Sequence, residues 1–88
     1  MELNAGEIVR SKAGRDKGLY FVVMKTDSSG YVMICDGKRR KVEKPKRKKE
    51  KHLLPTGETS SVIASKLAAG ETVTNPELRR AVGSMNSV

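Results

Sequence analysis

The first half of the chain alternates short apolar runs with glycine- and aspartate-rich breaks, and this pattern reads as strands. Glu7-Ile8-Val9-Arg10-Ser11-Lys12 follows Gly6 and forms the first run. Leu19-Tyr20-Phe21-Val22-Val23-Met24-Lys25 forms the second and is rich in β-branched and aromatic residues. Tyr31-Val32-Met33-Ile34-Cys35 forms the third, after the turn-forming Asp27-Ser28-Ser29-Gly30. Asp36-Gly37 has the residue preference of a two-residue type I′ turn, which predicts a returning strand over residues 38–42. Pro45 cannot donate to a ladder and is expected to end regular pairing.

The second run is apolar on both faces. One face would line the interior of a small β unit, and the other needs a cover that the C-terminal half can supply. There the period changes. Ile63 and Leu67 lie four apart, as do Ala64 and Ala68, predicting a helix over residues 60–69. Gly70 suits the left-handed residue after its end. Asn75 is the expected N-cap of a second helix, with Pro76 at its first position and Leu78 and Val82 on one side. Neither helix is long enough to stand alone, so each must dock or fray. The organisation expected is residues 1–55 as a β domain, 56–83 as a short helical segment and 84–88 as a disordered tail.

Charge sharpens this picture. The 88-residue chain carries 18 Lys and Arg against 10 Asp and Glu, a net charge of +8. Residues 38–52 hold ten of the basic residues and two acids, Glu43 and Glu50, so the whole excess lies in that segment. A neutral body with one positive block points to a polyanion contact. The single cysteine, Cys35, rules out an intrachain disulfide and fits a reducing compartment. The N-terminal residues lack the pattern of a signal peptide, and no apolar run has the length of a membrane helix. The chain therefore reads as cytoplasmic, without a membrane contact.

No constellation for catalysis stands out. His52 is the lone histidine and has no evident partners, and no carboxylate pair placed for hydrolysis and no nucleotide-binding P-loop occurs. Cys35, Met24 and Met33 read as strand packing, and Ser28-Ser29 and Ser60-Ser61 as turn and cap material. A domain this small has little interior in which to bury a pocket. The reading is a non-enzyme that needs no cofactor, metal or small-molecule substrate and is a monomer when free.

Gly6-Glu7-Ile8-Val9-Arg10-Ser11-Lys12-Ala13-Gly14-Arg15-Asp16-Lys17-Gly18 resembles the KOW motif, through Gly6, Glu7, Val9, Gly14, Lys17 and Gly18. The basic stretch from Asp36 through Lys49, with His52-Leu53 after it, is similar to the second half of short bacterial KOW proteins, which are themselves similar to archaeal and eukaryotic large-subunit ribosomal KOW proteins. Phe21 stands where the common motif has another glycine, which sets the chain apart from the transcription-elongation branch. The resemblance implies a mainly β fold, a small SH3-like β-barrel that binds RNA, often ribosomal RNA. The C-terminal helices would be additions to it.

The RNA-binding residues expected are Lys12, Gly14, Arg15, Lys17 and Gly18 in the first loop, and Lys38, Arg39, Arg40, Lys41, Lys44, Lys46, Arg47, Lys48, Lys49 and Lys51 in the basic arm. Glycines at 14 and 18 would let backbone N–H groups approach a phosphate, while Asp16 would stabilise the turn through its own backbone. Arginine pairs with phosphate in a planar fork, and lysine supplies a point charge. Tyr20 and Tyr31 would either stack on an unpaired base or pack half-buried. The alternative from another class is a KOW protein-interaction module in a transcription elongation complex.

Overall fold

The computed structural model describes residues 2–86. It is mainly β, with one five-stranded antiparallel sheet and two helices. The strands are β1 (Glu7–Ser11), β2 (Tyr20–Thr26), β3 (Tyr31–Cys35), β4 (Lys46–Lys49) and β5 (Leu53–Thr59). Their order across the sheet is β4-β3-β2-β1-β5. Helices α1 (Ser61–Ala68) and α2 (Asn75–Asn86) follow.

Alternation along the strands sends side chains to two separate cores. Val9, Phe21, Val23, Val32 and Ile34 pack with Leu3 and Leu53 on one face. Ile8, Val22 and Cys35 point the other way and meet Ile63 of α1, Val73, and Leu78 and Val82 of α2. The register that creates this split pairs Val9 with Phe21, Ile8 with Val22, and Val23 with Ile34. The helices thus cover the second apolar face of the sheet. Asn86 completes the cover: its amide accepts from Tyr20 N at 2.8 Å and donates to Tyr20 O at 2.9 Å.

The sheet is open, since β4 and β5 are its edges and do not pair with each other. It must nevertheless curl. Only a three-residue 3-10 turn, Glu50–His52, separates the two edge strands in sequence. In a flat five-stranded sheet those edges would lie about 19 Å apart. Four residue steps span at most about 14 Å, and less in a 3-10 turn. Glu50 N donates to Gly30 O and Lys12 N to His52 O, each at 2.9 Å, fastening the turn between the edges.

Several expectations require correction. No strand returns over residues 38–42. Asp36 Oδ1 instead accepts from the backbone N–H groups of Lys38, Arg39 and Arg40 at 2.8–2.9 Å. Asp36 N and Gly37 N both donate to Arg40 O, so the segment closes on itself. A type I′ turn needs positive φ at Asp36, and no described non-glycine residue has it. The fourth strand begins after Pro45, which precedes pairing and does not end it.

The boundary expected at 55/56 falls inside β5, an edge strand that tolerates Pro55 and Gly57. Ser60 caps α1 as expected, accepting from Ile63 N at 3.3 Å. The N-cap of α2 is Thr74 and not Asn75: Thr74 Oγ1 accepts from Glu77 N, and Glu77 Oε1 accepts from Thr74 N at 2.9 Å, a capping box. Asn75 turns outward to hold the basic loop, accepting from Val42 N and donating to Glu43 Oε1. Helix α2 runs through Ser84 to Asn86, so the tail expected from residue 84 is ordered that far. Residues 87 and 88 lie outside the described residues.

Candidate nucleic-acid interface

The loop after β1 is built by local hydrogen bonds. Lys17 N donates to Gly14 O, Gly18 N to Ser11 O at 2.7 Å, and Leu19 N to Asp16 O. Gly14 and Gly18 have φ of 80° and 89°, which a side chain rarely allows. The Lys17, Gly18 and Leu19 amides are therefore committed within the loop. What the loop offers outward is the exposed Arg15 and Lys17 side chains. Asp16 is buried, at 4% exposure, and does more than the expected local turn stabilisation. It accepts from Arg40 Nη2 at 3.2 Å.

The expected arm is folded against the body, and its basic residues divide by environment. Arg40 is turned inward to Asp16. Lys48 is buried, at 8% exposure, and its Nζ donates to Ala13 O at 2.7 Å. Arg47 lies over the Tyr31 ring, 3.6 Å from its centroid, with Asp27 Oδ2 at 3.8 Å. Tyr31 is thus half-buried packing on its Arg47 side. Lys38, Arg39, Lys41, Lys44, Lys49 and Lys51 are exposed, as is Lys12, and Lys46 is half-buried. Arg40 and Lys48 are structural ties that fasten the basic segment to the loop after β1; Lys38 and Arg39 then lie beside α2, and Lys12, Lys49 and Lys51 lie beside Tyr31.

His52 reports the local field. Burial first, and then the ammonium groups of Lys51, Lys49, Lys48 and Lys12, hold its imidazole below the ordinary value of 6.5. Of these lysines, two lie in β4, one in the 3-10 turn and one just after β1. Burial and the nearby Asp36 and Glu43 carboxylates push the Cys35 thiol up to about 11, which keeps it protonated and unreactive. Among the described residues, no three His, Cys, Asp or Glu side chains are grouped to hold a metal. No described helix is long and apolar enough to cross a membrane.

Two arginines bond to these loops although the sequence pattern did not single them out. Arg79 of α2 donates from Nη1 to Gly37 O at 2.7 Å and stands beside Lys38 and Arg39. Only the docking of α2 on the basic loop reveals this, and no sequence spacing signals it. Arg10 donates from Nε to Gly18 O and lies over the Tyr20 ring at 5.9 Å. Its outward position in β1 was legible from the alternation, but it lies outside both basic segments. No protein-family model and no curated protein matches the chain.

Proposed function

We propose that the chain is a non-catalytic, cytoplasmic RNA-binding module that docks on folded RNA, with ribosomal RNA as the expected class. The curled sheet is read as an SH3-like barrel of the KOW type, extended by two helices. The observation that carries the proposal is the internal anchoring of the basic segment. Arg40 on Asp16 and Lys48 on Ala13 O tie residues 36–49 to the loop after β1. The loop that carries Lys12, Arg15 and Lys17 is thereby fastened to the segment that carries Lys38, Arg39 and Lys49. Cations held on a scaffold lose less entropy on binding than those of a solvated tail.

Charge alone would attract DNA and RNA equally. The preference for RNA comes from the resemblance of residues 6–18 and 36–53 to KOW proteins. The buried, unpaired Cys35 suits a reducing compartment. Binding is electrostatic in affinity and led by the shape of the sugar–phosphate surface.

The test is the salt dependence of affinity for a structured RNA. With about five phosphates neutralised, log K falls against log salt with a slope of roughly −3.5 to −4.5. Raising salt from about 50 to about 200 mM then weakens binding roughly 100- to 500-fold. Absence of binding at low salt, or an affinity indifferent to salt, overturns the proposal.

A further inference from the structure

A groove of about 620 Å³ lies at the seam where the curled sheet brings its edges together. Its walls come from Lys12, Gly30, Tyr31, Lys49, Lys51 and the Leu53-Leu54 pair. The volume falls within the roughly 300–1,000 Å³ of small-ligand sites. Leu54 is 42% exposed, one of two large hydrophobic residues in the described chain that stand out from the surface. The lining combines the apolar Leu53, Leu54 and Tyr31 with three lysines, and Glu50 is the one acid among the lining residues.

We propose that this groove receives one unstacked base of an RNA strand, with Lys12, Lys49 and Lys51 meeting the phosphates on either side of it. The inference rests on the RNA-binding reading and specifies which part of the RNA enters. An occupant must combine a flat apolar body with anionic flanks, and a nucleotide within a strand does so. A base paired and stacked in a duplex cannot reach a concave floor; an unpaired one can be splayed into it. A peptide strand is a poor fit. Lys12 N and Glu50 N are already bonded across the seam, and Pro55 follows immediately in β5. The Arg47 guanidinium lies over one face of the Tyr31 ring, 3.6 Å from its centroid, so the wall is set before binding.

The experiment compares three RNA hairpins at one salt concentration: fully paired, with a single-nucleotide bulge, and with that bulge made abasic. Wild-type protein is expected to bind the bulged hairpin about tenfold more tightly than the other two, within the range for one base contact. Leu54→Ser is expected to abolish that preference and leave the salt slope and melting temperature unchanged. Equal affinity for all three hairpins overturns the groove proposal and leaves RNA binding standing. Failure to bind any of them overturns both. The abasic comparison needs no variant, so it decides even if Leu54→Ser folds poorly.

Discussion

Arg40 donates from Nη2 to Asp16 Oδ2 at 3.2 Å, and that contact joins the loop after β1 to the loop after β3. Asp16 is almost wholly buried, whereas Arg40 keeps 31% of its side chain exposed. Loss of the arginine would strand a buried carboxylate. Arg40→Met is expected to lower unfolding free energy by about 1–3 kcal/mol, measured by urea denaturation. Adding Asp16→Asn should recover part of that loss, since the stranded charge is then gone.

Lys48 and Lys49 are neighbours with opposite fates. Lys48 is bonded inward to Ala13 O, and Lys49 points to solvent. Lys48→Met is expected to cost about 1–3 kcal/mol of stability. Lys49→Gln should leave the melting temperature unchanged and reduce the steepness of the salt slope by roughly 0.7–0.9. Melting curves and RNA titrations on both variants check the pair. Equal behaviour would mean that the buried contact does not distinguish them.

Glu77 links the two helices. It accepts from Lys66 Nζ at 2.8 and 2.9 Å and from Thr74 N, and these contacts, led by Lys66, hold its carboxyl at about 2. The folded value lies below the ordinary 4.5, so its contribution to stability is complete above pH 4.5 and is lost as pH falls towards about 2. Melting temperature should fall across that window, and Glu77→Gln should flatten the fall. An unchanged acid profile in the variant would place the acid sensitivity elsewhere.

His52 acts in the same direction but in a higher pH window. Its folded value lies below 6.5, so the folded state resists protonation and loses stability as pH falls from 6.5 through that lower value. Phosphates arriving among Lys12, Lys49 and Lys51 would cancel the field that disfavours the imidazolium. An NMR titration should place His52 below 6.5 in the unbound protein and higher with RNA. A midpoint unmoved by RNA would place the phosphates away from this cluster.

Gly37 sits where the basic loop meets α2. A methyl group there would overlap Asn75 O and crowd Leu78 Cβ, at a φ of 79° that disfavours side chains. Gly37→Ala is expected to destabilise by more than about 1 kcal/mol, read by chemical denaturation. It should also weaken RNA binding, because the Arg79 contact to Gly37 O would be displaced.

The three central strands were legible because Val9, Phe21, Val23 and Ile34 alternate with Ile8 and Val22 against two different cores. Strand β5 was not legible. Pro55 and Gly57 imitate a loop, and only the edge position beside β1 makes them acceptable. Asp36-Gly37 misled for another reason: the carboxylate had competing uses, and gathering three amides prevailed over a tight hairpin. The basic segment was visible as charge, but its division was hidden. Lys48 and Lys49 look alike in sequence, and only strand alternation in β4 sends one inward. Thr74 and Asn75 are adjacent cap formers, and Glu77, three residues after Thr74, selects between them.

Strand β4 has a consequence for how copies of this chain meet. It is an outer strand with unpaired backbone on one side, the kind of border along which sheets can join. Here that border reads Lys46-Arg47-Lys48-Lys49, with Pro45 at its head. A second copy aligned there would set cation against cation at Lys46, Arg47 and Lys49, the three of the four that are not buried. The charges proposed to draw in a polyanion therefore also discourage the protein from polymerising through this border, and a bound polyanion would lift that repulsion while covering the same strand.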